Sequence, residues 1–245
     1  MTAWIQMSRV ELRLLLREPL SAFFSLAFPL LLLLVFGGIF GNEPITGMDG
    51  RGAMDLSTPG YIAMIIGTGA LISLPVTLAS YRERGVLRRF QATPLQPAII
   101  LAAHLAVHLM ITLLGTLLLV GTGAALFQLR MPADPLALLG AVLLSSICFF
   151  AAGCALAAIA TSARAAQTIG MAVFFPMLFL SGAALPRAVM PEHIQRIGDA
   201  LPLTYVTNLL SDLWFGEGWN LFALAILALL AVVGITVAAR TFRWE

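Results

Sequence analysis

Lysine is absent from this chain: all fourteen basic residues among its 245 are arginines. A phosphate-binding loop of the pattern G-x-x-x-x-G-K-[ST] needs a lysine to reach the nucleotide phosphates. A standard nucleotide-binding site is thereby excluded, and any ATP-driven work falls to another chain. Charge of either sign is scarce. Charged residues make up 11% of the chain, against roughly 25% in an average soluble domain, while 60% of residues are hydrophobic and mean hydropathy is +0.96. Cysteine is limited to Cys148 and Cys154. On a helix these point about 240° from one another, which places them poorly for pairing, and they read as small core residues. No charged residue sits in the middle of a long apolar run, so the intramembrane ionisable groups that serve ion-coupled transport are missing.

What is present is a series of apolar runs. A hydrocarbon core about 30 Å thick takes about 20 apolar residues per helix, and six runs meet that length, at about 20–41, 59–80, 97–127, 135–160, 167–185 and 220–240. Only helices or closed barrels satisfy the backbone in lipid, and runs this long are helices. The expected fold class is all-α and integral to a membrane. Residues 1–19 form an N-terminal segment and 20–245 a single six-span domain. The run at 20–40 is longer than a usual signal-peptide core and has nineteen residues before it, so it is expected to stay as the first span. Six spans put both termini on one side. That side carries Arg9, Arg13, Arg17, Arg82, Arg84, Arg88, Arg89, Arg164, Arg240 and Arg243, and the other only Arg51, Arg130, Arg187 and Arg196. By the positive-inside rule the arginine-rich side, with both termini, is cytoplasmic. Pro29, Pro75 and Pro176 are expected to kink their spans, and Gly37, Gly38 and Gly41 to permit close helix approach.

The densest charge lies in "YRERGVLRRFQATPL", residues 81–95. At 100° per residue, Glu83, Val86, Leu87 and Phe90 share one face while Arg82, Arg84, Arg88 and Arg89 cover the other. The pattern predicts a short two-faced helix that ends where Pro94 disfavours helix at Thr93. Two readings of it stay open: an interfacial loop whose arginines meet anionic headgroups, and a docking helix that enters a groove on a cytoplasmic partner. The second accounts for Glu83, because a carboxylate among apolar side chains calls for a specific donor opposite it. The N-terminal stretch has similar character, with Arg9, Arg13 and Arg17 as one stripe and Trp4, Met7 and Leu14 opposite, and reads as a helix lying along the membrane surface. His104 and His108 stand four apart on one helix face. No carboxylate or cysteine accompanies them, so packing or helix-helix hydrogen bonding is the expected role rather than a metal site.

Three segments together resemble the membrane subunit of an ATP-binding-cassette exporter of the second permease type, the family of drug, lipid and polysaccharide export permeases. They are "LLREPLSAFFSLAFPLLLLLVFG" at 14–37, "YRERGVLRRFQATPL" at 81–95 and "FLSGAALPRAVMPEHIQRIGDALPLTYVTNLL" at 179–210. The middle one is similar to the family pattern E-x-G-x-L-x-x-x-x-x-T-P through Glu83, Gly85, Leu87, Thr93 and Pro94. The resemblance implies six spans, an N-terminal interfacial helix with Trp4, Arg9, Arg13 and Arg17, and a cytoplasmic coupling helix between spans two and three. Arg82, Glu83, Arg84, Gly85, Leu87, Arg88 and Phe90 would then contact an ATPase. It also implies two copies of a separate ATPase subunit, which would bind ATP and magnesium, and a second permease copy, expected as a homodimer. No cofactor, metal or nucleic acid is expected on this chain itself, and its setting would be the lipid of a bacterial inner membrane.

Residues 186–219 are too polar and too broken by Pro186, Pro191 and Pro202 to cross a membrane. By composition they form an amphipathic surface loop. The resemblance implies instead two re-entrant half-helices, about 190–199 and 204–215, closing the outer end of a pathway with Ser181, Gly182 and Pro186 below. Met171, Phe175 and Phe179 on the fifth span are a flexible apolar group of the kind that lines adaptable hydrophobic sites, though the same residues also suit plain helix packing. The expected function is export of a hydrophobic small molecule such as a drug or antibiotic, or of a lipid. The alternative is an ATP-independent secondary transporter or channel.

Overall fold

The computed structural model describes residues 23–85 and 97–241, and every regular element among them is helical. Helix α1 (Phe28–Phe40) follows a π-helical turn at Phe23–Ala27. Helix α2 spans Ala53–Glu83 and contains a π turn at Gly69–Ser73. Helices α3 (Pro97–Phe127), α4 (Pro135–Ile159) and α5 (Ala163–Leu180) come next. After a 3-10 turn at Arg187–Val189 come two shorter helices, α6 (Glu192–Gly198) and α7 (Pro202–Phe215), and then α8 (Leu221–Thr241). Helices α2, α3, α4, α5 and α8 are long and apolar enough to cross a membrane, and α1 is a shorter apolar helix. The second span is longer than the sequence pattern suggested, beginning at Ala53 rather than about residue 59.

Local chemistry sets the helix ends. Asp134 caps α4 by accepting from the Leu136 and Ala137 amides, both at 3.0 Å, and Ser162 caps α5 through the Ala165 amide at 3.0 Å; each satisfies donors that the first turn leaves over. Gly216 ends α7 in the left-handed conformation, at φ 82°, which glycine adopts without steric cost.

Helix α2 is the centre of the molecule. Of its most apolar stretch 89% is buried, against 17% for α8. Apolar burial gives little attraction between helices in lipid, so close backbone approach has to do much of the work. A Cβ placed on Gly153 of α4 would overlap the Ala70 carbonyl, and one on Gly170 of α5 the Leu71 carbonyl. Both carbonyls belong to the π turn. Pro75 has no N–H to give to the carbonyl four residues earlier, Leu71, and Leu74 donates to Gly69 five residues back. The irregular turn and the glycines that press on it form one feature.

The contacts of α2 also fix direction. Gly170 meets Leu71, Gly67 meets Phe174, and Gly60 meets Gly182, so α5 runs antiparallel to α2. Leu203, at the start of α7, also reaches Gly67, while Phe215 at its end lies under Arg51, beside the start of α2. Helix α7 therefore covers about half of α2, beginning at its middle and ending beside its start. With 14 residues at 1.5 Å each it is about 21 Å long, too short to cross. The pair α6 and α7 is the expected re-entrant element.

Replacing Gly170 by Val, which forces side-chain atoms onto the Leu71 carbonyl, is expected to destabilise the fold by about 1–3 kcal/mol. Thermal denaturation in mild detergent reads this. Gly38→Ala, where nothing lies within 4 Å of the added atom, should leave the midpoint unchanged; equal midpoints for the two variants would refute the glycine-carbonyl contact.

Candidate functional site

At the arginine-rich end, α2 continues through Arg82 and Glu83 before turning at Arg84 and Gly85. The sequence pattern placed Arg82 and Glu83 on a separate two-faced helix with Glu83 among apolar neighbours. In the structure they are the last turn of α2, and Glu83 is exposed. Nothing before Gly85 breaks a helix, and Gly85, at φ 63°, takes the left-handed conformation that does. The Arg82 guanidinium turns back on the protein and donates to the carbonyls of Ala157, at 3.3 Å, and Ala160. These belong to the last turn and C-cap of α4, whose carbonyls have no partner within the helix. Arg82 thus ties the end of α2 to the end of α4, and Glu83 and Arg84 face outward. Leu87, Arg88 and Phe90 lie outside the described residues, as do Trp4, Arg9, Arg13 and Arg17.

One turn back, the Tyr81 ring packs on His104 with centroids 4.9 Å apart, and His108 lies 6.0 Å from Phe150. Both histidines are buried. Thr112 Oγ1 donates to the His108 carbonyl at 3.0 Å. The two rings fill the seam between α3, the end of α2 and α4.

At the opposite end, Ser181 and Gly182 are buried. Gly182, at φ 92°, packs its carbonyl on Gly60 and leaves room for the Arg187 side chain, which a Cβ would strike. Ser181 Oγ accepts from the Ala183 amide at 3.3 Å. Half-buried Pro186 opens a hairpin that is bonded within itself. Arg187 pairs with Asp199 at 2.6 Å. Gln195 Nε2 donates to the Arg187 and Met190 carbonyls at 3.0 and 2.9 Å, and the Tyr205 hydroxyl donates to the Asp199 carbonyl at 2.7 Å. The structure brings Ser181, Gly182 and Pro186 together at the base of this element. Met171 and Phe175 pack partly buried against the core, whereas Phe179 is 56% exposed.

Sequence reasoning missed a polar knot at this same end. Asp55, 2% exposed, accepts from Asn42 Nδ2 at 3.0 Å, the Gly52 amide at 3.1 Å and the Arg130 amide at 2.9 Å. Asn42 Oδ1 in turn accepts from the Met54 and Asp55 amides, both at 3.0 Å. A residue from the α1–α2 loop thus supplies the N-terminal cap of α2, and Asp55 reaches back to the Gly52 amide as the third residue of a capping box does. Beside it, Arg51 lies 3.9 Å over the Phe215 ring and 3.3 Å from Glu217. The Ala133 amide donates to the Trp214 carbonyl at 3.0 Å. The α1–α2 loop, the α3–α4 loop and the end of α7 are joined here. An acid three residues after Gly52 was the available signal.

Residues 2–215 match the family described as ABC-2 type transporter. The chain is similar to "Inner membrane transport permease YhhJ" of Escherichia coli (strain K12), at 26% identity over 224 residues, covering 82% of this chain and 57% of that protein. The protein of the same description from Shigella flexneri matches to the same extent. "Putative transport permease ycf38" of Pyropia yezoensis is 28% identical over 213 residues, covering 83% of this chain and 71% of that protein. The chain thus spans 57% of the length of the first two relatives.

Asp55→Ala should leave the Asn42, Gly52 and Arg130 donors without their acceptor, at about 1–3 kcal/mol for each buried group that stays unpaired. Limited proteolysis of the 41–52 loop together with thermal denaturation checks this. Asp55→Asn, which keeps acceptor oxygen, should fall between wild type and Ala; an Ala variant as stable and as protease-resistant as wild type would remove the knot from consideration.

Proposed function

The chain belongs to the ABC-2 type transporter family, and from that premise we propose that it is the permease subunit of an exporter driven by a separate ATPase subunit. In this reading two permease copies form a homodimer in a bacterial inner membrane, with both termini in the cytoplasm and two ATPase subunits docked below. The partner subunits bind ATP and magnesium. The observation that carries the proposal is the exposed turn at Glu83, Arg84 and Gly85, which stands at the end of the most buried helix in the molecule. A push on that turn acts on α2 directly and, through Arg82, on the end of α4. Helix α7 packs along the other half of α2, and α5 along most of its length. Closure of the ATPases on ATP would shift the turn, and α2 would carry the shift to the re-entrant pair at the far end.

The cargo in this reading is a hydrophobic small molecule, such as a drug or antibiotic, or a lipid. Support comes from the apolar character of α5 and from the ion pairs, which among the described residues lie only at the end away from the coupling turn. Glu83 would make the specific polar contact to the ATPase, with Arg84 and Arg88 as its charged neighbours.

The test is co-purification. With a tag after Glu245 and gentle extraction from native membranes, an ATPase chain is expected to come along. Glu83→Arg should reduce its yield by at least about tenfold, since like-charge juxtaposition at an interface costs several kcal/mol. Glu83→Ala should leave the protein in the membrane but uncouple ATP hydrolysis from export, so that ATP-driven efflux of a lipophilic dye from vesicles falls while ATP is still hydrolysed. Recovery of the protein alone and intact, with flux that continues without ATP, would instead point to a secondary transporter or channel.

A further inference from the structure

A lateral cavity of about 300 Å³ lies between α4, α5 and α8, lined by Leu71, Phe149, Leu156, Val173, Leu230 and Val237 among others, with almost no polar surface. Its floor is Leu71 in the π turn of α2 and Pro202 at the base of α7. Its rim includes Ile159 and Ile169, 58% and 37% exposed. We propose that this cavity holds one acyl chain of an anionic phospholipid drawn from the leaflet at the arginine-rich end, with the phosphate group at Arg240.

Three observations converge on that ligand. The first is chemistry. A water molecule needs two or more polar partners to be held in a buried site, and this lining offers almost none. Hydrocarbon is what surrounds a spanning helix, and hydrocarbon is what the lining suits. The second is length. Along α4 the cavity runs from Phe149 to Ile159, ten residues or about 15 Å, and half of a hydrocarbon core about 30 Å thick is also about 15 Å. Because Ile159 ends α4 and Leu71 lies in the middle of α2, the cavity spans one leaflet from its surface to the midplane.

The third is charge. Val237 lines the cavity, and Arg240, one turn further along the same face of α8, is exposed. Arg164, at the start of α5, is exposed at the same end, while Arg82 is committed to the α4 carbonyls. Arginines at the mouth of an apolar slot of one-leaflet depth select a lipid with a negative headgroup. The site does not rest on the exporter reading, since it needs only that these helices cross a bilayer. Its occupant would touch both the irregular turn of α2 and the base of α7, so lipid composition would bear on the junction between them.

The experiment uses the full chain in nanodiscs of phosphatidylethanolamine with a minor share of phosphatidylglycerol, released for native mass spectrometry. Wild type should retain phosphatidylglycerol. Ile159→Trp, which blocks the mouth from an exposed position, should retain one lipid fewer per chain. Leu136→Trp, at a position 77% exposed near the other end of α4, should match wild type. Arg240→Gln should lower the preference for phosphatidylglycerol over phosphatidylethanolamine about fivefold, the effect of one arginine near an anionic surface. Equal lipid retention in wild type and Ile159→Trp would overturn the proposal. So would a lipid-free wild type that retains a second copy of the chain, because the slot would then be covered by protein.

Discussion

Every backbone amide and carbonyl placed in hydrocarbon has to find a partner inside the protein, and helix α2 is where that demand is hardest to meet. Pro59 and Pro75 each remove a donor from it, and the π turn at Gly69–Ser73 sits between them. Such a helix cannot face lipid, and it does not: α3, α4, α5 and α7 enclose it. Gly153 and Gly170 are placed on the Ala70 and Leu71 carbonyls, where the absence of a side chain lets another backbone shield them. The half-helix α7 obeys the same demand. Its first residues stop near the middle of the membrane, where the free N–H groups of a helix end are costly, and Leu203 and Thr204 there are fully buried. Removing the irregularity of α2 would remove the surface on which α7 stands.

The two ends of α2 are tied by different chemistry. At one end a single guanidinium holds the last carbonyls of α4. At the other a buried carboxylate takes three amides from two separate loops. Between them the hydroxyls of Ser57, Thr58, Thr68 and Thr77 bond back to carbonyls three or four residues earlier, a pattern that bends helices. With two prolines, a π turn and four such bonds, the irregularity of α2 is concentrated at known points along it.

The spans were legible in the sequence because they are written in local pattern, whereas the two half-helices were implied only by the family resemblance, since composition reads 186–219 as a surface loop. Apolar length marks a span, and the prolines at 186, 191 and 202 break a segment too polar to cross. The Asp55 knot was not legible. Only the Gly52 amide is local, three residues back; the other two partners lie 13 and 75 residues away, and no short window contains them. The end of α2 was misread for a related reason. Helical periodicity continues through "YRERG" whether or not a new helix begins there, and only the left-handed Gly85 shows where the old one stops. The exposure of Phe179 could not be read either, because an apolar side chain on a spanning helix suits lipid and core equally.

Helix α8 shows what holds an element that buries little. It is 17% buried, and against lipid it gains almost nothing from apolar surface, since the surroundings are as apolar as its own side chains. It packs chiefly on α4, and at Gly234 an added Cβ would overlap the backbone of Ala151 and Ala152. Ala152 also lines the cavity between α4, α5 and α8, so the close glycine contact of α8 and the cavity beside it share a residue. An empty gap there would forfeit the dispersion contacts of its whole lining. A chain of hydrocarbon in the slot restores them without moving either helix.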